Sequence, residues 1–368
     1  MNIAIFSPNR NPYSETFIQA HKNCLQGKIF YYYGRNPITL EGKYNREPRY
    51  KTFFLRLKTK IGRKPSGYFE RQMLLRDFKL NKIDVALVEY GTHAHTLLSI
   101  LKEADIPFVV HFHGYDASEF DVLEKANYYK NVFSNASKII SVSKKMSEML
   151  LNIDCPKEKL IYNVYGPRPE FFEIKPQFEN QQFISVGRFT NKKAPYYSIL
   201  SFKKVLKYYP GAKLIMAGDG ELLNTCKNLV KVFGLEDNIH FPGIITAEEF
   251  KQYLQSSRAY VQHSITADNG DMEGTPLAIL EASAAGIPVI STYHAGIPDV
   301  ILHEITGLLC NEHDVDAMAK NMIRLLDDEK LAIEMGKMGK KRVIENFSLE
   351  RHITLLDKVL NECSLNKN

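Results

Sequence analysis

The 368 residues exceed what one ordinary hydrophobic core organises, which points to two domains of roughly 150 to 180 residues each. The apolar fraction of 44% is that of a globular chain, and no run of about 18 apolar residues is present to cross a bilayer. Five scattered cysteines with no CxxC pair argue against a zinc cluster or disulfide framework and for a reducing compartment, and the net charge of +6 is modest.

The opening MNIAIFSP reads as a short buried strand; it lacks the basic flank of a secretory leader. Further short apolar runs follow, KIFYYY, VALVEY, PFVVHFH, KIISVS and KLIYNV, with helix-like stretches between them. The pattern breaks over NVYGPRPEFFEIKPQFEN, residues Asn163 to Asn180, which reads as a linker. It then restarts with QFISVGR, AKLIMAG, NIHFPG, RAYVQH, IPVIST and GLLC. Strand–helix alternation predicts parallel sheets covered by helices. The expected fold class is therefore α/β, with two Rossmann-like parallel-sheet domains, 1–165 and 178–347, facing across a cleft. Ligands of such folds sit at the carboxyl ends of the strands, here between the domains.

Between Lys22 and Lys82 there are sixteen Lys or Arg against four acids. The densest part places Arg49, Lys51, Arg56, Lys58, Lys60, Arg63 and Lys64 among Phe53, Phe54, Leu55, Leu57 and Ile61. Cations interleaved with aromatics suit an anionic membrane surface or a lipid-diphosphate; a solvated basic face is the alternative. No recognised nucleic-acid motif accompanies the charge, so no nucleic-acid partner is expected.

Chemistry-bearing motifs recur at predicted strand ends. His93 and His95 form one HxH pair, His111 and His113 another, and Asp116 follows within reach of the second. Without a thiolate or an HExxH helix these pairs do not specify a metal, and Asp314 and Asp316 are explained as a helix start. The segment Asp268 to Asp271 is too short for a calcium loop, so a metal-independent site is expected. Arg188 and Lys193 lie on the loop leaving QFISVG, where two cations could neutralise a departing diphosphate. Gly218 and Gly220 of AGDGE permit a close backbone approach to a ligand, and no GxGxxG motif points to a nicotinamide cofactor. In EGTPLAILEASAAG, Glu273 lies just outside a predicted helix start and Glu281 about two turns in. Between them the free amides of Thr275, Leu277 and Ala278 make an anion seat, with Gly274 and Pro276 in the same turn as donor-binding candidates. An acidic first turn and an exposed glutamate are the plain alternative.

Taken in order, HFHGYD, VGRFTNKK, AGDGE, HFPG and EGTPLAILE resemble the retaining GT-B glycosyltransferases of family 4, most strongly from Phe183 to Leu309. EYG, HFHGYDAS and DNGDMEGTP resemble the branch that builds bacterial surface and capsular polysaccharides of the colanic acid and amylovoran type. The resemblance implies a nucleotide-sugar donor, UDP favoured over GDP, and a glycan acceptor, lipid-linked in such pathways. It implies a cytoplasmic enzyme peripheral to the inner face of the membrane. Arg188 and Lys193 would then hold the diphosphate, Glu273 the sugar hydroxyls and Glu281 the ribose. His113 would lie under the sugar ring with Asp116 beside it. Relatives carry a Gly-Gly loop after the first strand where this chain has SPNRNPYSETF, so Ser14, Glu15 and Thr16 would serve there, with Gly91 and His93 nearby. The usual glycine after the loop lysine is Ala194. The C-terminal helix, within 348–368, would cross back onto the first domain. A nucleotide-sugar 2-epimerase on the same twin fold and a non-catalytic surface-binding module remain open readings.

Overall fold

The computed structural model describes residues 1–10, 13, 15–35, 37–42, 56–57, 62 and 67–365. Ser14 and most of the basic stretch, including Arg49, Lys51, Lys58, Lys60, Arg63 and Lys64, lie outside the described residues.

The first sheet is built from β1 (Asn2–Ser7), β2 (Lys28–Tyr33), β3 (Thr39–Leu40), β4 (Val85–Glu89), β5 (Phe108–His111), β6 (Lys138–Ser141) and β7 (Leu160–Tyr162). Its order is β3-β2-β1-β4-β5-β6-β7, parallel except where β3 runs antiparallel to β2. The second sheet contains β8 (Gln182–Val186), β9 (Lys213–Ala217), β10 (Ile239–Gly243), β11 (Ala259–Val261), β12 (Val289–Thr292) and β13 (Gly307–Cys310). These run in the order β10-β9-β8-β11-β12-β13, all parallel. Both sheets are doubly wound, with β1 and β8 at the points where the order reverses.

Continuous apolar runs form these strands because helices cover both faces. In β1, Ala4 and Phe6 join one core while Ile3 and Ile5 join another on the opposite face, as the two-residue period requires. That second core is closed by the helix Leu349–Leu365, whose Ile353, Leu356, Val359, Leu360 and Cys363 are buried against Ile3, Ile5, Val85, Leu87, Val109 and Ile140. Each fully buried aliphatic side chain there stabilises the fold by about 1.5–3 kcal/mol. The helix therefore follows the second sheet in sequence but packs on the first. Gln26 N–H donates to Asp357 at 2.9 Å and Asn163 Nδ2 to the His352 carbonyl at 3.0 Å. Among the described residues no helix is long and apolar enough to cross a membrane.

The two sheets approach each other at their carboxyl ends through short loops. Met272 N–H donates to Ser118 Oγ at 3.0 Å, Phe120 N–H to the Asn269 carbonyl at 3.0 Å, and Lys144 N–H to Asp299 at 2.8 Å.

Candidate active site

A cavity of about 560 Å³ opens between the domains. Glu15, Thr16, Phe17, Tyr90, His113 and Tyr165 line it from the first domain, and Arg188, Lys192, Lys193, Glu273 and Glu281 from the second, with Arg168 from the connection. Its size suits a drug-sized or nucleotide-sized ligand.

The loop after β8 places the lysines. A turn at Asn191–Lys193 leads into Ala194, whose φ of 36° and ψ of 53° are left-handed, and Pro195 then starts the helix Pro195–Val205. A glycine would adopt that conformation without the strain a Cβ brings. Lys193 reaches back over Gly187, where an added Cβ would stand 3.0 Å from the lysine Cδ, and brings Nζ to 3.0 Å from Glu273 Oε1. Burial pulls the Lys193 ammonium below its ordinary range, assisted by Lys192 and Arg188 and opposed by Glu273. Burial would raise the Glu273 carboxyl, but Lys193 and then Lys192 hold it down to about 2. Lys192 is itself buried, 2.9 Å from Asp271 Oδ1 and donating to the Met272 carbonyl at 3.2 Å. Arg188 is exposed at the cavity rim.

The Glu273 loop is fixed from behind. Its N–H donates to His294 Nε2 at 3.1 Å, while His294 Nδ1 meets Glu312 Oε1 at 2.7 Å. Gly274 is required by the domain contact, since a Cβ there would lie 2.2 Å from the His113 carbonyl oxygen. The Thr275 hydroxyl is spent on that contact too, donating to the Val142 carbonyl at 2.6 Å. No side chain caps the helix Leu277–Ala285 at Pro276, and its first residues, Leu277 and Ala278, face the cavity. One turn on, Glu281 is buried, and Arg168 Nε donates to its Oε1 at 2.9 Å. Burial raises the Glu281 carboxyl to about 7, with Glu170 adding to the shift and Arg168 opposing it.

In the first domain both ring nitrogens of His113 are engaged. Nε2 lies 2.8 Å from Glu89 Oε2, and Nδ1 pairs with the Tyr165 hydroxyl. Phe17 stacks on the imidazole at a centroid distance of 4.6 Å. Glu15 Oε1 accepts from Tyr90 Oη at 2.9 Å and Asn9 Nδ2 at 3.0 Å, leaving Oε2 buried with no hydrogen-bond partner.

Other expected site residues lie elsewhere. Asp116 is fully buried and does not reach the cavity; its carboxylate accepts the amides of Gly91 at 2.8 Å, His113 at 3.0 Å and Gly114 at 3.0 Å. It shapes the turn that carries His113. Gly91 is a glycine because a Cβ would sit 2.2 Å from the Phe112 ring, and His93 is buried on the helix Gly91–Glu103. Neither lines the cavity. His95 is exposed, so the two HxH pairs do not assemble into one site. Gly218 lines the cavity, but its missing Cβ makes room for the Gly187 carbonyl, 1.9 Å from where that Cβ would lie. At Gly220 the close neighbour is likewise protein, the Phe189 carbonyl at 2.6 Å, and that glycine is off the cavity. The helix after AGDGE starts at Leu223, two residues later than Glu221. The functional residues that motif reasoning missed are Lys192, Arg168, Tyr165, Glu89 and His294; the paired lysines of NKK were the available signal for Lys192.

The model for glycosyl transferases group 1 matches residues 168–342 and that for glycosyltransferase family 4 matches 29–163. The chain belongs to this glycosyltransferase family and has its GT-B fold of two facing parallel-sheet domains. It is 32% identical over 273 residues to the amylovoran biosynthesis glycosyltransferase AmsK of Erwinia amylovora, covering 72% of this chain and 67% of that one. To the putative colanic acid biosynthesis glycosyltransferase WcaL of Escherichia coli K12 it is 30% identical over 247 residues, 64% of this chain and 60% of that one. In architecture it resembles HepE of Anabaena, crystallised with UDP, with a TM-score of 0.77 and 15% identity over 98% of this chain and all of that one.

Proposed function

We propose that this glycosyltransferase moves a hexose or related sugar, with retained configuration, from a nucleotide sugar to a lipid-linked oligosaccharide during assembly of a bacterial surface polysaccharide. The observation that carries the reading is the Lys193–Glu273 pair beside the uncapped start of the helix Leu277–Ala285. Two cations, Arg188 and Lys193, and the first amides of that helix receive a diphosphate without a divalent ion. Glu273, kept ionised, orients sugar hydroxyls, and Glu281 meets the ribose. A UDP donor is favoured, as in the UDP complex of the Anabaena structure. The polysaccharide setting follows the names of the Erwinia and Escherichia relatives.

In the proposed transfer the bond from the anomeric carbon to the diphosphate oxygen breaks and a bond to the acceptor oxygen forms on the same face. The acceptor's proton passes to the leaving phosphate oxygen, so nucleoside diphosphate and glycoside are the products. Arg188 and Lys193 stabilise the charge that develops on the leaving group. Buried Glu15 Oε2, lacking a protein partner, accepts a hydroxyl of the incoming glycan. The basic 22–82 segment docks the protein on the inner face of the cytoplasmic membrane, so vesicle binding falls as salt rises.

A panel of nucleotide sugars screened for thermal stabilisation identifies the donor, and incubation with lipid-linked acceptor then reads transfer. Glycoside product with the donor's anomeric configuration supports the reading. An epimer formed from donor alone, or tight binding with no transfer to any acceptor, contradicts it.

A further inference from the structure

Behind the cavity, Glu89 at the end of β4 is fully buried among four imidazoles. Its Oε1 lies 2.7 Å from His21 Nδ1 and its Oε2 2.8 Å from His113 Nε2, while His111 Nδ1 stands off at 3.5 Å. His21 Nε2 in turn meets His352 Nε2 at 2.8 Å. The members come from four separate elements: the helix Thr16–Cys24, β4, β5 with its outgoing turn, and the C-terminal helix. The chain of contacts therefore runs unbroken from Tyr165 and His113 at the cavity to the helix that crosses over from the second domain.

The hydrogen-bond inventory fixes the direction of each link. Burial would raise the Glu89 carboxyl, yet the imidazoles of His21, His111 and His113 hold it well below the ordinary carboxylate range, so it only accepts. Every contact is satisfied when His21 donates from Nδ1, His113 donates from Nε2, His352 donates from Nε2 to His21, and Tyr165 donates to His113 Nδ1. Burial raises the Tyr165 hydroxyl well above its usual range, which keeps that donor protonated. Burial lowers His111 to about 3, and its nitrogens have no hydrogen-bond partner. Among the described residues, His21, Glu89 and His111 are also the group whose potential ligand atoms come within 4.8 Å of one another. The hydrogen bond between His21 and Glu89 accounts for one of those approaches, while His111 stands 3.5 Å from Glu89 without a hydrogen bond.

We propose that Glu89 is a positioning residue for sugar transfer, holding His113 in one orientation and one tautomer, and that the C-terminal helix completes the site by locking Glu89 through His352 and His21. This rests on the transferase reading above for its kinetic consequence, but the tautomer assignment does not. Glu89 does not line the cavity; it acts through His113, a residue that does.

Long-range nitrogen–proton NMR of the full chain labelled with ¹⁵N reads the tautomers directly. His113 protonated at Nε2 and His21 at Nδ1 is expected; the opposite tautomer at His113 overturns the proposal, as does about one equivalent of zinc co-purifying and bound by these residues. Glu89→Gln is expected to scramble the His113 signal, keep UDP affinity, and lower kcat about 100-fold with little change in KM. Tyr165→Phe, which removes one hydrogen bond, is expected to lower kcat about tenfold. Unchanged kcat in folded Glu89→Gln overturns the positioning role. Should that variant fail to fold, the wild-type tautomers and Tyr165→Phe decide. Loss of UDP binding in the wild type would instead strike the transferase reading and leave the tautomer result standing.

Discussion

Lys193 Nζ lies 3.0 Å from Glu273 Oε1, joining the loop after β8 to the start of the helix Leu277–Ala285. The pair holds two opposite charges, largely out of solvent, at the point where a helix presents its positive end. Burying such a pair is at best marginally favourable for stability.

Replacing either member should cost turnover and, by leaving the other charge buried and uncompensated, stability as well. Lys193→Ala and Glu273→Gln are each expected to lower kcat/KM by at least about 100-fold. The double variant should lose less than the product of the two, because the residues are coupled. Steady-state kinetics with the donor found by thermal screening checks this; near-wild-type rates in both single variants would refute the assignment.

Glu281 gives a pH prediction. Its carboxyl is raised to about 7 in the folded protein, so the folded state binds more protons than the unfolded one at mildly acid pH. The associated stability is fully present below the unfolded carboxylate range and is lost as pH rises through 7. Glu281→Gln, which carries no such charge, should gain on the wild type by a few kcal/mol between about pH 4 and 8. Parallel melting-temperature curves for the two proteins would contradict the shift.

Ala194 tests the loop. Relief of a left-handed alanine favours glycine by about 1–2 kcal/mol. The lost buried methyl, about 0.8 kcal/mol, and the extra unfolded-state entropy, about 0.4–1 kcal/mol, oppose it. Ala194→Gly should then be nearly neutral in stability and activity, whereas β-branched Ala194→Val should lower both. Chemical denaturation of the two variants distinguishes these outcomes.

The domain contact makes a packing prediction. A Cβ at Gly274 would lie 2.2 Å from the His113 carbonyl oxygen and 2.8 Å from Val142 Cγ2, and neither neighbour is a flexible tip. Gly274→Ala should destabilise by about 1–3 kcal/mol, as overpacking does. Gly211→Ala, where an added Cβ meets nothing within 4 Å, is the neutral control. Equal melting temperatures for the two variants would refute the contact.

The strands were legible in the sequence because helices cover both faces, so each strand is a bounded apolar run such as VALVE or VIST. Glu273, Lys193 and Glu281 were legible for a different reason: each sits in a local strand-to-loop or turn-to-helix motif. The contacts behind them were not. The crossing of the C-terminal helix onto the first domain was implied by the resemblance, but the meeting of His21 and His352 across 331 residues of chain was not. Asp116 was legible as an orienting neighbour of the histidine, but proximity in sequence does not tell a carboxylate that faces the cavity from one that accepts three backbone amides. Gly218 and Gly220 were read as making room for a ligand when the room is taken by neighbouring backbone.

The most direct measurement is calorimetric titration of UDP and GDP into the full chain in EDTA, with wild type beside Lys193→Ala. Binding of at least one nucleotide without a divalent ion, weakened at least about tenfold by the substitution, is the predicted result. No binding of either nucleotide, or binding that appears only when manganese or magnesium is supplied, would contradict it.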